Sequence, residues 1–258
     1  MITLTNDLLE TAAPVPEHLP GLQGAATIRT PGLREIQHAV TQLYDSGGIV
    51  LIDGKPGVGK TFGTKHVLAQ LGVRVHWADM PDTPKGKEAN ARIFTAVTGR
   101  RPPLRMTEYA LTDETVDVLD GLKAVLVVDE AQNMTKSALR QLRYLHDRPT
   151  TKALVVLLGP GVIKVVTQVP ELDSRVARRV QVKELTGAQL RELLPQLHPA
   201  LEAMSEPVRV QLAEYARGNL RQWARVLEVA NSMQVDPTTG IDQRAAKFII
   251  RAITGGAS

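Results

Sequence analysis

The chain has 258 residues, of which 43% are hydrophobic and 22% charged, and its formal net charge is +4 at pH 7. This length suits one large domain, or a medium domain with a small lid. It contains no cysteine, which excludes disulfides and thiolate metal sites and is compatible with a cytosolic protein. The small positive charge is compatible with a polyanionic partner and equally with an ordinary solvated surface.

The N-terminal segment shows no sign of a targeting sequence. Residues 1–21 have no basic stretch ahead of an apolar one, so we expect no signal peptide. No apolar run approaches the roughly 18 residues that a membrane-spanning helix needs. We therefore expect a cytoplasmic protein with no membrane partner. Residues 1–30 hold three prolines and mostly acidic charges, which predicts an extended arm.

The first predicted elements enclose a glycine-rich loop. Residues 32–44 predict a helix, 49–52 a buried strand, and 62–71 a helix that ends before a glycine. Between this strand and the second helix lies Gly54-Lys55-Pro56-Gly57-Val58-Gly59-Lys60-Thr61, which fills every fixed position of the pattern G-x-x-x-x-G-K-[ST]. The strand–loop–helix context favours a phosphate-binding P-loop over a chance match in a glycine-rich turn.

The P-loop predicts binding of ATP with Mg²⁺. Glycines let backbone N–H groups converge on phosphate oxygens, and the helix N-terminus adds its positive dipole end. Lys60 is expected to reach the β- and γ-phosphates, and the Thr61 hydroxyl to ligate Mg²⁺. The predicted nucleotide-binding residues are Gly54, Pro56, Gly57, Val58, Gly59, Lys60, Thr61 and Phe62.

Strands and helices alternate in the rest of the first 182 residues. Further strands are predicted at 73–77, 124–128, 153–158 and 176–182, and further helices at 88–97, 112–119 and 136–146. Asp113 and Glu114 suit the first turn of the 112–119 helix, since carboxylates stabilise a helix N-terminus. From Thr186 onward only helical patterns appear, at 190–197, 208–216, 220–233 and 244–253.

This order predicts an α/β P-loop NTPase fold. A parallel sheet flanked by helices is followed by a small all-helical C-terminal lid domain. The predicted domains are an N-terminal arm at 1–30, a nucleotide-binding α/β domain at 31–184 and a helical lid at 185–258.

An acidic pair, Asp129-Glu130, directly follows the apolar run of the 124–128 strand. An aspartate at the carboxyl end of a buried strand can orient Mg²⁺, directly or through water. The adjacent glutamate can polarise a water for attack on the γ-phosphate. The alternative, two acids that cap the next helix, is less favoured because a complete P-loop lies upstream. The pair therefore predicts ATP hydrolysis, with Glu130 as catalytic base and Asp129 as metal ligand.

Arg175 is a candidate for a finger arginine. It lies in the basic stretch 173–179, which also holds Arg178 and Arg179. An arginine supplied across a subunit interface can stabilise the transition-state charge on a transferring phosphoryl group. A solvated basic turn, or phosphate contacts to nucleic acid, remains an equal alternative.

Arg221 is a second candidate for contact with the γ-phosphate. It follows Gly218-Asn219-Leu220 at a predicted helix start, from which an arginine could couple the nucleotide state to the lid position. The alternative is a surface helix start with Trp223 in the core.

In this order, the P-loop, the Asp129-Glu130 pair, Asp173-Ser174-Arg175 and Gly218-Asn219-Leu220-Arg221 resemble the motifs of an AAA+ ATPase. More narrowly, Val127-Val128-Asp129-Glu130-Ala131-Gln132, with Leu139-Arg140-Gln141-Leu142-Arg143 and Leu158-Gly159, is similar to sequences of the transposition ATPases MuB, TniB and TnsC. The resemblance covers residues 25–235.

The resemblance implies an ATPase that assembles on duplex DNA as a ring or helical filament, selects a target and stimulates a transposase. It also implies residue roles: phosphate and Mg²⁺ binding for Lys60 and Thr61, metal orientation for Asp129, water activation for Glu130, the finger for Arg175 and the sensor-2 arginine for Arg221.

One position departs from the AAA+ pattern. Such ATPases usually place a polar residue, often asparagine, at the end of the fourth strand as sensor 1, whereas this chain has Gly159-Pro160-Gly161. We therefore expect slow hydrolysis that DNA or a partner stimulates, or replacement of the missing group by Gln132 or Asn133.

Basic residues between the second and third strands form the expected DNA-binding surface. In a ring or spiral such loops can face the central channel, where phosphate contacts give affinity without reading sequence. Ordinary solvated loop charge is the alternative. Because no aromatic residues are interleaved to stack single-stranded bases, duplex DNA is the expected ligand. The candidates are Lys85, Lys87, Arg100, Arg101 and Arg105.

The sequence leaves three functions open. The first is a DNA-assembled regulator of transposition, and the second is an IstB-like or helicase-loader ATPase with a replicative helicase or another transposase as partner. The third is a nucleotide-switched regulator that binds proteins and no DNA. A small-molecule kinase is disfavoured, because the acidic pair and the helical C-terminal region indicate hydrolysis coupled to motion.

Overall fold

The computed structural model of the chain describes residues 24–84, 87–148 and 152–255. The chain divides into two compact units, Pro31–Lys183 and a unit that joins Met1–Thr30 to Glu184–Ser258. Residues 1–23 of the predicted arm lie outside the described residues. Lys85, one of the predicted DNA-binding residues, also lies outside them. No helix within the described ranges is long and apolar enough to cross a membrane.

The first unit contains a parallel five-stranded sheet in the order β2-β3-β4-β1-β5. The three inner strands are almost wholly buried, as uninterrupted apolar runs predict for a parallel sheet covered on both faces. The edge strands β2 and β5 are more exposed. The strands are β1 (Gly48–Asp53), β2 (Arg74–Asp79), β3 (Ala124–Asp129), β4 (Leu154–Gly159) and β5 (Val176–Gln181).

Seven helices of this unit have described bounds, and they cover both faces of the sheet. They are α1 (Pro31–Tyr44), α2 (Lys60–Leu71), α3 (Glu88–Thr98), α4 (Glu108–Leu119), α5 (Lys136–His146), α6 (Val162–Val166) and α7 (Pro170–Asp173). Alternate strand residues point to opposite faces: Val50 and Val156 pack with α1 and α2, whereas Leu51 and Val155 pack with α3 to α7. The predicted α/β fold with a parallel sheet is confirmed.

Helix α4 begins at Glu108 and not at Thr112, so the sequence-based start was wrong. The N-cap is Thr107, whose side chain accepts a hydrogen bond from the backbone of the first turn. Asp113 and Glu114 consequently lie inside the helix, where they bind side chains of neighbouring segments. The two carboxylates therefore form tertiary contacts and do not act as charges at the helix N-terminus.

The second unit is all-helical in its described part. Its helices are α8 (Gly187–Leu197), α9 (Pro199–Glu202), α10 (Glu206–Ala216), α11 (Leu220–Ser232) and α12 (Gln243–Thr254). Their apolar faces enclose a core that includes the fully buried Trp223. Residues 24–30 take part in this core: Ile28 is buried in it, and the Ala26 N–H donates to the Leu197 carbonyl over 2.8 Å.

Candidate nucleotide-binding and hydrolysis site

The predicted P-loop connects β1 to α2, in the strand–loop–helix context that its sequence requires. Gly59 is the N-cap of α2 and has φ 95°, a conformation in which any side chain would be strained. Lys60 is 8% exposed, and its Nζ donates to the carbonyl oxygens of Gly54 at 2.6 Å and Lys55 at 3.0 Å. The lysine ammonium is therefore held within the curve of the loop.

The other predicted P-loop residues surround this lysine in sequence. Gly54 and Val58 are buried, Pro56 is exposed, and Gly57 has a positive φ of 84°. Phe62 lies in the first turn of α2 and stacks on His66, with 5.9 Å between the ring centroids. Backbone N–H groups at a glycine-rich helix start are a general arrangement for binding phosphate. Their role in nucleotide binding by this chain stays a prediction.

Thr61 and Asp129 lie together, although 68 residues separate them in the sequence. The Thr61 hydroxyl donates to Asp129 Oδ2 over 3.0 Å, and Asp129 Oδ1 accepts the Glu130 backbone N–H at 2.9 Å. Burial of the Asp129 carboxyl raises its pKa above the ordinary value, while these two hydrogen bonds act in the opposite direction.

This pair fits a magnesium ion that is also bound by phosphate. A hydroxyl and a carboxylate are the oxygen ligands that Mg²⁺ prefers, and Mg²⁺ usually keeps water and substrate phosphates as its remaining ligands. Within the described ranges, no group of three or more His, Cys, Asp or Glu side chains forms a metal site. A protein-only metal cage is therefore not what the described residues offer, whereas a nucleotide-dependent Mg²⁺ site at Thr61 and Asp129 fits their chemistry.

Glu130 stands beside this pair in an uncommon backbone conformation. Its φ is 53°, in the left-handed region, where non-glycine residues are infrequent and often functional. The side chain is exposed, and its Oε2 accepts a hydrogen bond from Gln132 Nε2 at 2.7 Å. Strand β3 therefore ends in one carboxylate that is buried against the P-loop threonine and one that is accessible to water.

Asp53 is a site residue that the sequence analysis missed. It is the last residue of β1, directly before the P-loop, and is 8% exposed. Its two carboxylate oxygens accept the backbone N–H groups of Gly161 at 2.9 Å and Ile163 at 3.0 Å. The loop after β4 is thereby tied to the start of the P-loop. The sequence did contain a signal for Asp53, because an acidic residue lies between a buried strand and Gly54.

Arg175, the candidate finger, is bound within its own unit. Its Nε donates to Asp147 Oδ1 over 3.1 Å, and its side chain stays 42% exposed. Burial would raise the pKa of Asp147, but Arg175, together with His146 and Arg143, outweighs this and holds the pKa below its ordinary value. Arg178 and Arg179 lie in β5 and bond to other groups of the same unit. The finger role stays a prediction.

Arg221 lies at the start of α11 in the helical unit. Asn219 caps this helix by accepting the backbone N–H groups of Arg221 and Gln222. Trp223 is fully buried, and its ring N–H donates to the Arg217 carbonyl over 2.9 Å. The helix start and the buried tryptophan are thus both present, and a contact of Arg221 with nucleotide stays a prediction.

Two of the predicted DNA-binding residues have partners inside the protein. Lys87 Nζ donates to the carbonyl oxygens of Leu104, at 3.3 Å, and of Met106. Arg100 forms an ion pair with Glu114 of α4. These two contacts tie the loop between α3 and α4 to both helices. Lys87 and Arg100 therefore have a structural role that their sequence did not indicate.

The remaining two basic candidates lie in the same loop, and Arg105 lies in a turn at its centre. The Met106 N–H donates to the Pro103 carbonyl over 3.1 Å, which closes a turn with Leu104 and Arg105 at its centre. Arg101 and Arg105 are exposed, and the Leu104 side chain is 97% exposed. The loop thus exposes two guanidinium groups and one apolar side chain.

Comparison with known proteins agrees with this geometry. Residues 43–164 match the family model described as AAA domain. The chain is similar to the solved structure of Aeropyrum pernix ORC1 in complex with DNA, with a TM-score of 0.66 and 18% identity over 93% of this chain and 68% of that one. It is also similar to the RuvB Holliday junction branch migration motor of Thermotoga maritima, with a TM-score of 0.59 and 16% identity over 87% and 70% of the two chains. These similarities agree with the observed fold, a parallel α/β P-loop fold of the AAA+ type.

Two further proteins are similar to this chain. The ADP form of Aeropyrum pernix ORC2 gives a TM-score of 0.60 at 15% identity, over 84% of this chain and 66% of that one. General secretion pathway protein A of Aeromonas hydrophila is 27% identical over 177 residues, which is 65% of this chain. The chain spans only 31% of the length of that secretion protein. The narrower resemblance to MuB, TniB and TnsC stays a hypothesis.

Proposed function

We propose that the protein binds and hydrolyses ATP, assembles as an oligomer on duplex DNA, and regulates transposition through a transposase. The observation that carries the ATPase part is the contact between Thr61 of the P-loop and Asp129 at the end of β3, with Glu130 beside it. These residues lie at the carboxyl edge of the sheet, where parallel α/β folds bind their ligands, and this position supports their proposed roles in phosphate binding, metal binding and base catalysis.

Each residue at this edge has a distinct role in the proposed reaction. Lys60 binds the β- and γ-phosphates, and Thr61 and Asp129 would hold Mg²⁺. The metal ion, when bound, neutralises charge on the phosphate oxygens. Glu130 accepts a proton from a water whose oxygen attacks the γ-phosphorus, while the bond from that phosphorus to the β–γ bridging oxygen breaks. ADP and inorganic phosphate are the products.

Duplex DNA is the proposed partner of the α3–α4 loop. Arg101 and Arg105 are exposed in this loop, whereas Lys87 and Arg100 bind groups of the same chain. Guanidinium groups on a fixed loop suit contacts with the phosphate backbone. The similarity in fold to a DNA complex of ORC1 and to a branch migration motor is compatible with this proposal.

The proposed transposition role rests on short sequence similarities and not on the geometry of the site. The stretch 127–132 together with 139–143 and 158–159 resembles MuB, TniB and TnsC. An IstB-like or helicase-loader ATPase shares the same site and the same DNA partner. Distinguishing these requires identification of the partner, and stimulation of a transposase in the presence of ATP and target DNA is the result that supports the first.

A second candidate is a nucleotide-switched regulator that binds proteins and no DNA. This candidate is favoured by the 27% identity to General secretion pathway protein A, because the name of that relative indicates a secretion pathway. In that case the exposed residues of the α3–α4 loop would contact a protein. Such a regulator would also require the P-loop and Asp129, so nucleotide binding alone does not separate the two candidates.

Fluorescence anisotropy of a labelled random-sequence duplex is the deciding experiment. The protein is titrated in ATP, in ADP and without nucleotide, at one salt concentration, since backbone-dominated binding falls steeply with ionic strength. Cooperative binding with ATP that is lost with ADP supports assembly on DNA. Absence of binding in every nucleotide state would reject the DNA-binding function and favour the protein-binding regulator.

A further inference from the structure

The amide of Gln132 lies between the ends of two neighbouring strands. Its Nε2 donates to Glu130 Oε2 over 2.7 Å, just after β3. On its other side the amide faces the last residue of β4: a Cβ added to Gly159 would lie 1.9 Å from Gln132 Oε1. Only glycine therefore leaves room at this point for the glutamine side chain.

The hydrogen-bonding chemistry fixes which way this amide points. An ionised carboxylate only accepts hydrogen bonds, so the NH₂ group faces Glu130 and the carbonyl oxygen faces Gly159. Gln132 Oε1 is buried, and no described residue donates to it. A buried acceptor without a donor is costly. This orientation of the Gln132 side chain therefore has a free-energy cost. What the side chain gains in exchange is the hydrogen bond to Glu130.

The end of β4 offers no polar side chain of its own. The chain there is Gly159-Pro160-Gly161, and the backbone N–H of Gly161 is used by Asp53. Asn133, the other polar residue next to Glu130, donates its backbone N–H to the Glu130 carbonyl over 3.0 Å, which closes the short turn after β3. Gln132 is thus the side chain for which a hydrogen bond to the Glu130 carboxylate is observed.

We infer that Gln132 is a positioning residue that holds the Glu130 carboxylate in the orientation from which it accepts the proton of the attacking water. The inference rests on the proposed ATP hydrolysis. Gln132 acts through Glu130 and not on phosphate, so its removal lowers the rate of the chemical step and leaves nucleotide binding intact.

The test is steady-state ATP hydrolysis by the full chain with Mg²⁺ and saturating duplex DNA. Gln132→Leu removes the hydrogen bond with a similar volume, and we expect kcat to fall on the order of 10- to 100-fold, part of the effect of a general base. KM for ATP and the affinity for a fluorescent ATP analogue stay near wild type, which identifies a transition-state effect. Gln168→Leu, at an exposed glutamine of the same unit, is the matched control and keeps wild-type kcat.

A second variant keeps the inference testable if leucine is not tolerated. Gln132→Ala removes the amide without adding volume and lowers kcat in the same way. A wild-type kcat in this variant counts against the inference.

The outcomes separate the inference from the proposed function. Wild-type kcat in Gln132→Leu and Gln132→Ala, alongside an inactive Glu130→Gln, overturns the role of Gln132 and leaves the ATPase intact. Parallel losses of kcat, nucleotide affinity and melting temperature show a merely structural residue and also overturn it. A wild-type chain that binds no nucleotide and hydrolyses no ATP rejects the proposed function and the inference together.

Discussion

Thr61 Oγ1 donates to Asp129 Oδ2 over 3.0 Å and so connects the first turn of α2 to the end of β3. The carboxylate is 6% exposed, and burial raises its pKa. A buried carboxylate of this kind can bind a cation. Without a cation its ionised form is energetically costly. The buried carboxyl therefore links the pH dependence of stability to the proposed Mg²⁺ site.

Replacing Asp129 tests this coupling. The folded state holds the Asp129 proton more tightly than the unfolded state, so this group lowers stability as the pH rises through the window between the ordinary aspartate pKa and the raised one. Without nucleotide, Asp129→Asn is expected to raise the melting temperature at neutral pH. The gain over wild type shrinks at acid pH, where Asp129 is protonated, and Mg²⁺-dependent hydrolysis is lost at all pH values.

Thermal unfolding across about pH 5 to 8 measures this effect. Asp117→Asn, at an exposed position of α4, is the control and should show no pH-dependent gain. An Asp129→Asn variant that is less stable than wild type at neutral pH would show that the hydrogen bonds to Asp129 outweigh its burial.

Lys60 is predicted to bind phosphate from its place inside the P-loop. Lys60→Ala removes the ammonium that now bonds to the loop carbonyls, and we expect ATP affinity to fall on the order of 10- to 100-fold, as for the loss of hydrogen bonds to a charged group. Any ATP-dependent oligomer should disappear with it. Lys65→Ala, on the same helix but over the Trp77 ring, should keep wild-type affinity in a nucleotide titration.

Glu130 is predicted to act in the chemical step and not in binding. Glu130→Gln should bind ATP as wild type does but lower kcat by about 10²- to 10⁴-fold, the usual contribution of a general base. The ATP-bound assembly should then persist on DNA. Single-turnover hydrolysis and size-exclusion chromatography with ATP measure the two effects, with Glu192→Gln on the surface of α8 as control. Unchanged turnover would remove Glu130 from the mechanism.

The sheet and the core of the site were predictable because local sequence determines them. The inner strands β1, β3 and β4 are apolar runs without interruption, and only strands covered on both faces need such runs. The P-loop pattern carries its own conformational requirements, so Thr61 could be expected near the end of a following strand. The meeting of Thr61 and Asp129 follows from the parallel order of the strands and needs no knowledge of distant side chains.

The remaining features depend on tertiary contacts that a linear pattern does not contain. Glu114 suited a helix start, yet it pairs with Arg100 across the α3–α4 loop. The Gln132 amide fits only because Gly159, from another strand, lacks a side chain. In both cases the sequence shows the chemistry of each residue but not its partner, because the partner is chosen by packing between elements that are far apart in the chain.

The four described residues of the predicted DNA-binding surface fall into two groups. Arg101 and Arg105 are predicted to contact DNA, whereas Lys87 and Arg100 have structural contacts. Arg101→Ala and Arg105→Ala should each weaken duplex binding and lower the slope of log K against log salt by about one, as the loss of a phosphate contact does. Arg74→Ala, exposed at the amino end of β2, is the control and leaves the slope unchanged. Arg100→Ala should instead lower the melting temperature, since its partner is Glu114.

The finger role of Arg175 can be tested by mixing two inactive variants. Arg175 bonds to Asp147 of its own chain and remains partly exposed, so an incoming neighbour can compete for it. If Arg175 acts across a subunit interface, Arg175→Ala and Glu130→Gln are each inactive alone, but their mixture forms sites with an intact base from one subunit and an intact arginine from the next. ATP hydrolysis by the mixture should then exceed that of either variant.

The control for this mixture is Arg178→Ala, whose partner is Gln42 within the same unit. This variant should keep its own hydrolysis and therefore show no rescue by Glu130→Gln. An Arg175→Ala variant with wild-type turnover would reject the finger role. An inactive Arg175→Ala that the mixture does not rescue would place the arginine's action within its own subunit, where the ion pair with Asp147 already holds it.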